Sequence, residues 1–288
     1  MALGRSIITL LAQLWRAQLI SKHGRVIEIG AQQLNNNFLN AKDDLSMLGQ
    51  LFGIDGIPTL PEQQRTWLLE SGIEHLAETA PRAREFWTWL GFHYASIDID
   101  GSPGSISFDL NYDSVASEVR GQYDLVTNFG TTEHVANQLN AFEVMHDLAA
   151  PGGLFIHELP AQGYFNHGLV NYNFKFFWML ARSNNYKVID ANFSVNLQEY
   201  GIPENITNFL AEFGAGTSQR LNGYTSMDAG LHIVLQKQHD IPFVPPIDVA
   251  TGTRTDNEKL KQRYWTVFAP ERLSELPIYK RSGNGRKS

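Results

Sequence analysis

A short apolar segment that ends in glycine sets the first constraint on how this chain folds. Residues 26–29 (Val-Ile-Glu-Ile) are bounded by Gly24 before them and by Gly30 after them, which is typical of a buried parallel strand. Glycine has no Cβ, so a loop that begins with it can bring the backbone close to a ligand. A glycine at such a point is more often a simple turn, however, and later segments must decide between the two.

Strands and helices alternate along the rest of the chain. Further strands are predicted at residues 94–101, 105–110, 123–128, 154–160, 187–190 and 231–236. Helices are predicted over about 136–149 and 174–184. This alternation predicts an α/β fold with a mainly parallel, seven-stranded sheet that is covered by helices on both faces.

The segment between the first two strands is longer than one crossover helix requires. Residues 31–90 are rich in Gln, Asn and Glu, and helical stretches are predicted around 62–77 and 81–90. We therefore expect a helical insertion at about 41–90 within a domain that covers residues 1–237. Residues 238–288 form a C-terminal extension whose basic end is predicted to be disordered.

Composition excludes several classes of protein. A formal net charge of -7 argues against a general nucleic-acid binder, because phosphate contacts need a surplus of Lys and Arg. The absence of cysteine excludes disulfides, thiolate zinc sites and Cys nucleophiles, and we expect a cytoplasmic protein. Apolar residues at helical spacing over 7–19 predict an amphipathic helix rather than a signal peptide, and no apolar run is long enough to span a membrane.

Acidic residues stand at the ends of the second and third predicted strands. Asp98 and Asp100 end the second strand, and Asp109 follows the third. Ligands of open α/β sheets lie at the carboxyl ends of the strands, where a carboxylate can accept from ribose hydroxyls. Only one of Asp98 and Asp100 is expected to bind the ligand. The G-x-G-x-x-G pattern is missing after Gly30, which favours a ligand without phosphates over a dinucleotide.

These segments resemble the class I S-adenosylmethionine-dependent methyltransferases. Residues 28–30 (Glu-Ile-Gly) match the acidic residue and glycine loop of the family's first strand, and residues 123–135 resemble its fourth strand with the "D-x-V…E-H" continuation. Residues 151–153 (Pro-Gly-Gly) resemble the turn before its fifth strand. The resemblance spans about residues 24–236. It departs from the family in having one loop glycine where two or three are usual, and in the long separation of the first two strands.

The resemblance implies a Rossmann-like methyltransferase fold and S-adenosylmethionine as cofactor. It places an acid of the second strand on ribose and the acid after the third strand near adenine. The residues that it implies for cofactor binding are Glu28, Gly30, Asp98, Asp100, Asp109 and Asn128. Glu28 could instead accept from backbone N–H groups and so cap the loop.

The acceptor side of the site is predicted in the segment after the fifth strand. Residues 157–173 are rich in His, Asn and Tyr, and lie at the same sheet edge as the cofactor. His titrates near neutral pH, so His167 is the first choice of general base, followed by His134 and then His157. Tyr172 is a further catalytic candidate because its hydroxyl can bind an oxygen-rich acceptor. We expect a polar small molecule or a sugar as acceptor.

Two other functions and a metal site are alternatives to this interpretation. An NAD or nucleotide-sugar oxidoreductase or epimerase would carry Tyr-x-x-x-Lys near the fifth strand, and no such pair occurs at Tyr164 or Tyr172. A non-catalytic protein that retains the fold stays an alternative. No metal is predicted, because the spacing of Glu133, His134, His146 and His157 matches no familiar set of ligands.

Overall fold

The computed structural model describes residues 3–60, 64–70, 73–79, 81–100, 104–164, 167–193 and 229–275. They form two compact units, residues 1–108 and residues 109–288, and each unit is described by itself. The helices of the first unit are α1 (Arg5–Arg16), α2 (Asn36–Leu39), α3 (Lys42–Leu51) and α4 (Arg84–Trp89). Its strands are β1 (Arg25–Ile29), β2 (Gln64–Glu70), β3 (Ile73–Thr79), β4 (His93–Asp98) and β5 (Ile106–Ser107).

The second unit contributes the remaining elements. Its strands are β6 (Tyr123–Phe129), β7 (Ala149–Gln162), β8 (Lys187–Phe193) and β9 (Ala229–Gln236). Its helices are α5 (Gln138–Leu148), α6 (Phe174–Asn184), α7 (Glu258–Arg263) and α8 (Trp265–Phe268). Helix α6 has the bounds that the sequence predicts, because Asn173 caps its N-terminus through Phe176 N–H and Asn185 ends it in the left-handed conformation.

The strand order of the main sheet confirms the predicted fold class. Seven strands lie in the order β5-β4-β1-β6-β7-β9-β8. The pairs β1–β4, β4–β5 and β6–β7 are parallel, whereas β9 runs antiparallel to both β7 and β8. The fold is therefore α/β with a mainly parallel seven-stranded sheet, and β9 is the reversed strand.

The apolar run at residues 26–29 is buried in the first unit. Val26, Ile27 and Ile29 are at most 1% exposed, as expected for a strand covered on both faces. The apolar face of α1 is buried as well, which agrees with the predicted amphipathic helix. In α4 the rings of Phe86 and Trp87 are fully buried, so Trp87 belongs to the core of this unit.

The predicted helix around 62–77 is wrong. Strands β2 and β3 form an antiparallel pair in that region, with Trp67 opposite Leu76 and Leu69 opposite Glu74. The sequence between them, Ser71-Gly72, is a turn signal that separates two runs of seven residues. The insertion at about 41–90 thus contains α3 and α4 together with a two-stranded hairpin.

Two further expectations concern the chain's ends and its relation to a membrane. Among the described helices none has the length and apolar character needed to span a bilayer. The C-terminal extension contains α7 and α8, and the predicted disorder of its basic end falls on residues 276–288, which lie outside the described part of the chain.

Candidate active site

The loop after β1 turns sharply at Gly30 and carries no helix start. Gly30 has a φ of 78°, a left-handed conformation that disfavours residues with a Cβ, and its N–H donates to Ile97 O over 2.8 Å. The next described helix, α2, begins only at Asn36. Because no helix N-terminus follows Gly30 directly, this loop lacks the usual anion site for a pyrophosphate.

Asp98 joins the end of β4 to the loop after β1. Its carboxylate accepts from Ala31 N–H over 2.7 Å and from Asp100 N–H over 3.2 Å. Asp98 is half-buried, whereas Asp100 is exposed in the following turn. The structure therefore brings Asp98, and not Asp100, against the Gly30 loop.

Glu28 lies beneath the same loop. Its carboxylate is fully buried and accepts from Trp87 Nε1 (2.7 Å), Tyr94 Oη (2.8 Å) and Gln32 N–H (3.0 Å). Burial raises the pKa of Glu28 to about 7, although its three donors act in the opposite direction. The contact with Gln32 N–H agrees with the alternative that Glu28 caps the loop from below.

In the second unit, Asp109 belongs to a local turn. One of its carboxylate oxygens accepts from Asn111 N–H over 2.8 Å, which is an Asx-type contact. Asn111 in turn binds the N–H and the side-chain amide of Asn137, at the start of α5. This chain of contacts fixes the segment that follows the third strand.

Asn128 and Tyr172 hold the turn that follows β6. Asn128 is fully buried, and its amide donates to Thr132 Oγ1 over 2.8 Å while its oxygen accepts from Thr132 N–H. The hydroxyl of Tyr172 lies 2.9 Å from Thr132 Oγ1 and also contacts Gln138 Oε1. Burial raises the pKa of Tyr172. Both side chains therefore face inward and support the residues next to Thr132.

The turn held in this way presents Glu133 to two histidines. Glu133 Oε1 lies 3.6 Å from His167 Nε2 and 3.9 Å from His134 Nε2. The Glu133 side chain is 0% exposed, whereas those of His134 and His167 are 48% and 34% exposed. Neither carboxylate oxygen of Glu133 has a hydrogen-bond partner among the described residues. We call these three residues the Glu-His-His cluster.

The backbone of Glu133 holds the loop that carries His167. Glu133 O accepts from Leu169 N–H over 2.8 Å and from Val170 N–H over 3.1 Å. A Cβ at Gly168 would lie 2.9 Å from Glu133 Cγ and 3.1 Å from Glu133 O. Glycine at this position therefore permits the close approach that brings His167 to Glu133.

Burial shifts the pKa values of two residues in the Glu-His-His cluster. The pKa of Glu133 is raised, mainly because its carboxylate is buried away from water. The pKa of His134 is lowered by burial and further by the neighbouring His167. The rings of the two histidines meet edge to face, with centroids 5.1 Å apart. The arrangement therefore offers two imidazoles and a buried carboxylate to a ligand that approaches from the exposed side.

The other histidines considered from sequence lie in the protein core. His157 is 1% exposed, packs against Phe142 and Phe177, and its pKa is lowered to about 3 by burial. His146 is 1% exposed and contacts Tyr186 Oη and Ile241 O. Neither belongs to the Glu-His-His cluster, and the burial of His157 argues against the third choice of base.

Sequence reasoning named His134 and His167 but missed how they are brought together. The sequence indicates no catalytic role for Glu133 beyond its place in a Glu-His pair, and it gives no signal for Gly168. His167 could be identified because it follows β7 in the sequence, and Glu133 could be identified because it precedes a histidine in the Glu-His pair. The contact between Glu133 and His167 joins residues that are 34 positions apart in the sequence.

Comparison with known proteins identifies the class. Residues 3–192, more than half of the chain, match the family described as methyltransferase domain. The chain belongs to this methyltransferase family, and its cofactor is S-adenosylmethionine. No curated protein matches the sequence.

Several solved structures are similar in fold. A Burkholderia thailandensis 1,6-didemethyltoxoflavin-N1-methyltransferase is 9% identical with a TM-score of 0.40, over 80% of this chain and 77% of that one. A methyltransferase from Archaeoglobus fulgidus is 12% identical with a TM-score of 0.38, over 80% of this chain and 93% of that one. A Haemonchus contortus phosphoethanolamine N-methyltransferase is 12% identical with a TM-score of 0.41, over 81% of this chain and 53% of that one.

The donor set of the first unit fits this cofactor. S-adenosylmethionine is a nucleoside without phosphates, and the Gly30 loop has no helix N-terminus to receive a phosphate. A ribose needs a charged acceptor, and the carboxylate of Asp98 stands at the loop, half-buried. The residues present therefore suit a phosphate-free nucleoside.

Proposed function

We propose that this methyltransferase acts on a hydroxyl group of a polar small molecule or sugar, and that its Glu-His-His cluster faces that acceptor. The observation that carries the proposal is the imidazole of His167, which is one-third exposed and lies 3.6 Å from a buried carboxylate. The polar residues of 157–173 support an oxygen-rich acceptor. A cytoplasmic location stays a prediction from the absence of cysteine.

In the first unit, the end of β4 and the loop after β1 carry the residues that we propose for cofactor binding. We propose that Asp98 binds the ribose hydroxyls and that the backbone of the Gly30 loop approaches the methionine part. Glu28 supports that loop from below through Gln32 N–H. Asp109 and Asn128 stay predictions for the adenine side, and the local contacts of both indicate that they also order their own turns. Asp100 is the weaker choice for ribose because it is exposed.

The chemistry follows from an in-line displacement. When bound, S-adenosylmethionine supplies an electrophilic methyl group on a sulfonium sulfur, which keeps the electron pair of the broken C–S bond. His167 takes the proton that the acceptor hydroxyl loses as its oxygen bonds to the methyl carbon. Glu133 orients the imidazole of His167 and stabilises its cationic form. Tyr172 holds the Thr132 turn that presents Glu133, and His134 is the second choice of base.

Binding of S-adenosylhomocysteine tests the function without knowledge of the acceptor. We expect isothermal titration of the full-length protein with this demethylated cofactor to give saturable heat at one site per chain. A folded protein that gives no heat at high micromolar concentration would contradict the proposal. Cofactor binding without turnover on any polar hydroxyl compound would favour a non-catalytic protein that retains the fold.

Replacing Asp98 tests the assignment of ribose. We expect Asp98→Asn to weaken S-adenosylhomocysteine binding by about 10- to 100-fold, because a hydrogen bond to a charged group contributes about 1.5–3 kcal/mol. The matched control is Asp100→Asn, which removes an exposed carboxylate two residues away and should leave the affinity unchanged. Equal loss in both variants, or loss only in the control, would move the ribose contact away from Asp98. Circular dichroism confirms that each variant is folded.

A further inference from the structure

We propose that the Glu-His-His cluster is a binding site for one divalent transition-metal ion, formed by Glu133, His134 and His167. One ligand atom from each of the three residues lies within 4.8 Å of the others. Two imidazoles and one carboxylate are ligands that such ions accept, and three protein ligands leave further positions open. The chain has no cysteine, so the site offers only nitrogen and oxygen ligands.

The buried carboxylate of Glu133 is the observation that points to a cation. Both of its oxygens are buried and lack a hydrogen-bond partner within the part of the chain that the structure describes. A buried polar group without a partner is costly, and a buried carboxylate is normally paired with a cation or bound to a metal. Two imidazole nitrogens lie 3.6 Å and 3.9 Å from Glu133 Oε1, and each can donate a lone pair to a metal when neutral.

The separations in the cluster suit a small ion. Tetrahedral Zn²⁺ with bonds of about 2.0–2.1 Å places neighbouring ligand atoms about 3.4 Å apart. The separations from Glu133 Oε1 to His167 Nε2 and His134 Nε2 are 3.6 Å and 3.9 Å. All three ligand atoms lie within 4.8 Å of one another, so binding of the ion requires them to move closer together, and the half-exposed His134 side chain is the least enclosed of the three.

The surrounding residues hold the ligands in place from outside. Thr132 is bound by Asn128 and by the hydroxyl of Tyr172, which fixes the residue before Glu133. Glu133 O binds the backbone of the His167 loop at Leu169. Contacts of this kind orient metal ligands, and their loss weakens metal binding. Hydrogen bonds that hold the metal ligands in place distinguish this cluster from an acidic surface patch.

The site also bears on the acceptor, and this step rests on the proposed function. The exposed sides of His134 and His167 leave room for an acceptor oxygen on the ion. An ion held by Glu133, His134 and His167 would act as a Lewis acid and would lower the pKa of an acceptor hydroxyl. In the loaded protein His167 is then a ligand, whereas in the metal-free protein it is the base.

Titration with metal alone tests the inference. The full-length protein is freed of metal with a chelator and titrated with Zn²⁺ against a chromogenic chelator, and with Co²⁺ by visible absorption. We expect one ion per chain, and an affinity at least about 10-fold lower in Glu133→Gln, His134→Asn and His167→Asn. The matched control, His93→Asn, replaces an exposed histidine outside the cluster and should bind as the unaltered protein does.

Two results would overturn the metal site. One is a dissociation constant weaker than about 1 mM, which corresponds to about 4 kcal/mol and is no better than scattered surface ligands. The other is equal affinity in the unaltered protein and the three cluster variants. If Glu133→Gln fails to fold, His134→Asn decides, because that side chain is half exposed. The titration needs neither cofactor nor acceptor, so its failure differs from failure to bind S-adenosylhomocysteine.

Discussion

In the metal-free protein, we expect His167→Asn to lower turnover of the acceptor by at least about 100-fold, because a positioned general base contributes about 10²–10⁴ in rate. Asparagine keeps a polar group of similar size but cannot take a proton. His167 is one-third exposed and its Nε2 lies 3.6 Å from a buried carboxylate oxygen, so its imidazole is reachable from solvent and lies beside an acidic group. The affinity for S-adenosylhomocysteine should not change, since the residues proposed for ribose and loop contacts are Asp98 and Gly30.

The measurement is release of S-adenosylhomocysteine with a panel of polar hydroxyl compounds, in the presence of a chelator. Once an acceptor is found, kcat and KM are compared in the unaltered protein, His167→Asn and His93→Asn. A loss in kcat without a loss of cofactor affinity supports the base. A loss of cofactor affinity in His167→Asn that matches its loss of turnover would instead indicate a structural role.

His134→Asn separates the two histidines of the cluster. The Nε2 of His134 is 3.9 Å from Glu133, and the side chain is more exposed than that of His167. His134 is therefore held less firmly than His167, and in metal-free protein His134→Asn should lower turnover less than His167→Asn does. With metal bound, both histidines are ligands and both variants should lose turnover alike. The contrast between these two conditions links the proposed base to the metal site.

The strands of this fold were open to prediction because each carries a local signal. Residues 26–29 and 123–128 are apolar runs with turn residues at their ends, and such runs become buried strands wherever helices cover the sheet. The hairpin β2–β3 was missed because Gln, Glu and Leu at 62–77 also suit a helix. The reversed direction of β9 has no local signal either, since direction depends on which strands are its neighbours.

The candidate site was predicted in its parts and not in its assembly. Asp98 and Asp100 were both identified from their place at a strand end, and residues two apart in a strand face the same side, so the sequence could not separate them. In the structure Asp98 accepts from Ala31 N–H in the Gly30 loop, which supports the proposal that Asp98 is the ribose residue. Glu133 is a charged residue in a polar segment, and nothing local indicates that it is buried. Its burial results from the Thr132 turn and from the loop that approaches at Gly168.

Glu28 lies in β1, and its raised pKa predicts how the stability of the protein depends on pH. Burial raises the pKa of Glu28 from 4.5 to about 7, so the folded protein keeps a proton that the unfolded chain has already lost between these values. Stability from this group is fully present below pH 4.5 and is lost as the pH rises through 7. Since one pKa unit corresponds to about 1.4 kcal/mol, the free energy of unfolding should fall by about 3 kcal/mol as the pH rises through this range.

Glu28→Gln should remove this dependence, because its amide cannot ionise and resembles the protonated acid in shape. Urea unfolding at a series of pH values between 4.5 and 8 measures the difference between the variant and the unaltered protein. We expect the variant to gain about 3 kcal/mol relative to the unaltered protein across this range. The control Glu118→Gln replaces an exposed carboxylate and should give a curve parallel to that of the unaltered protein. Parallel curves for Glu28→Gln as well would mean that Trp87, Tyr94 and Gln32 keep the buried carboxylate ionised at the lower pH, with hydrogen bonds that outweigh its burial.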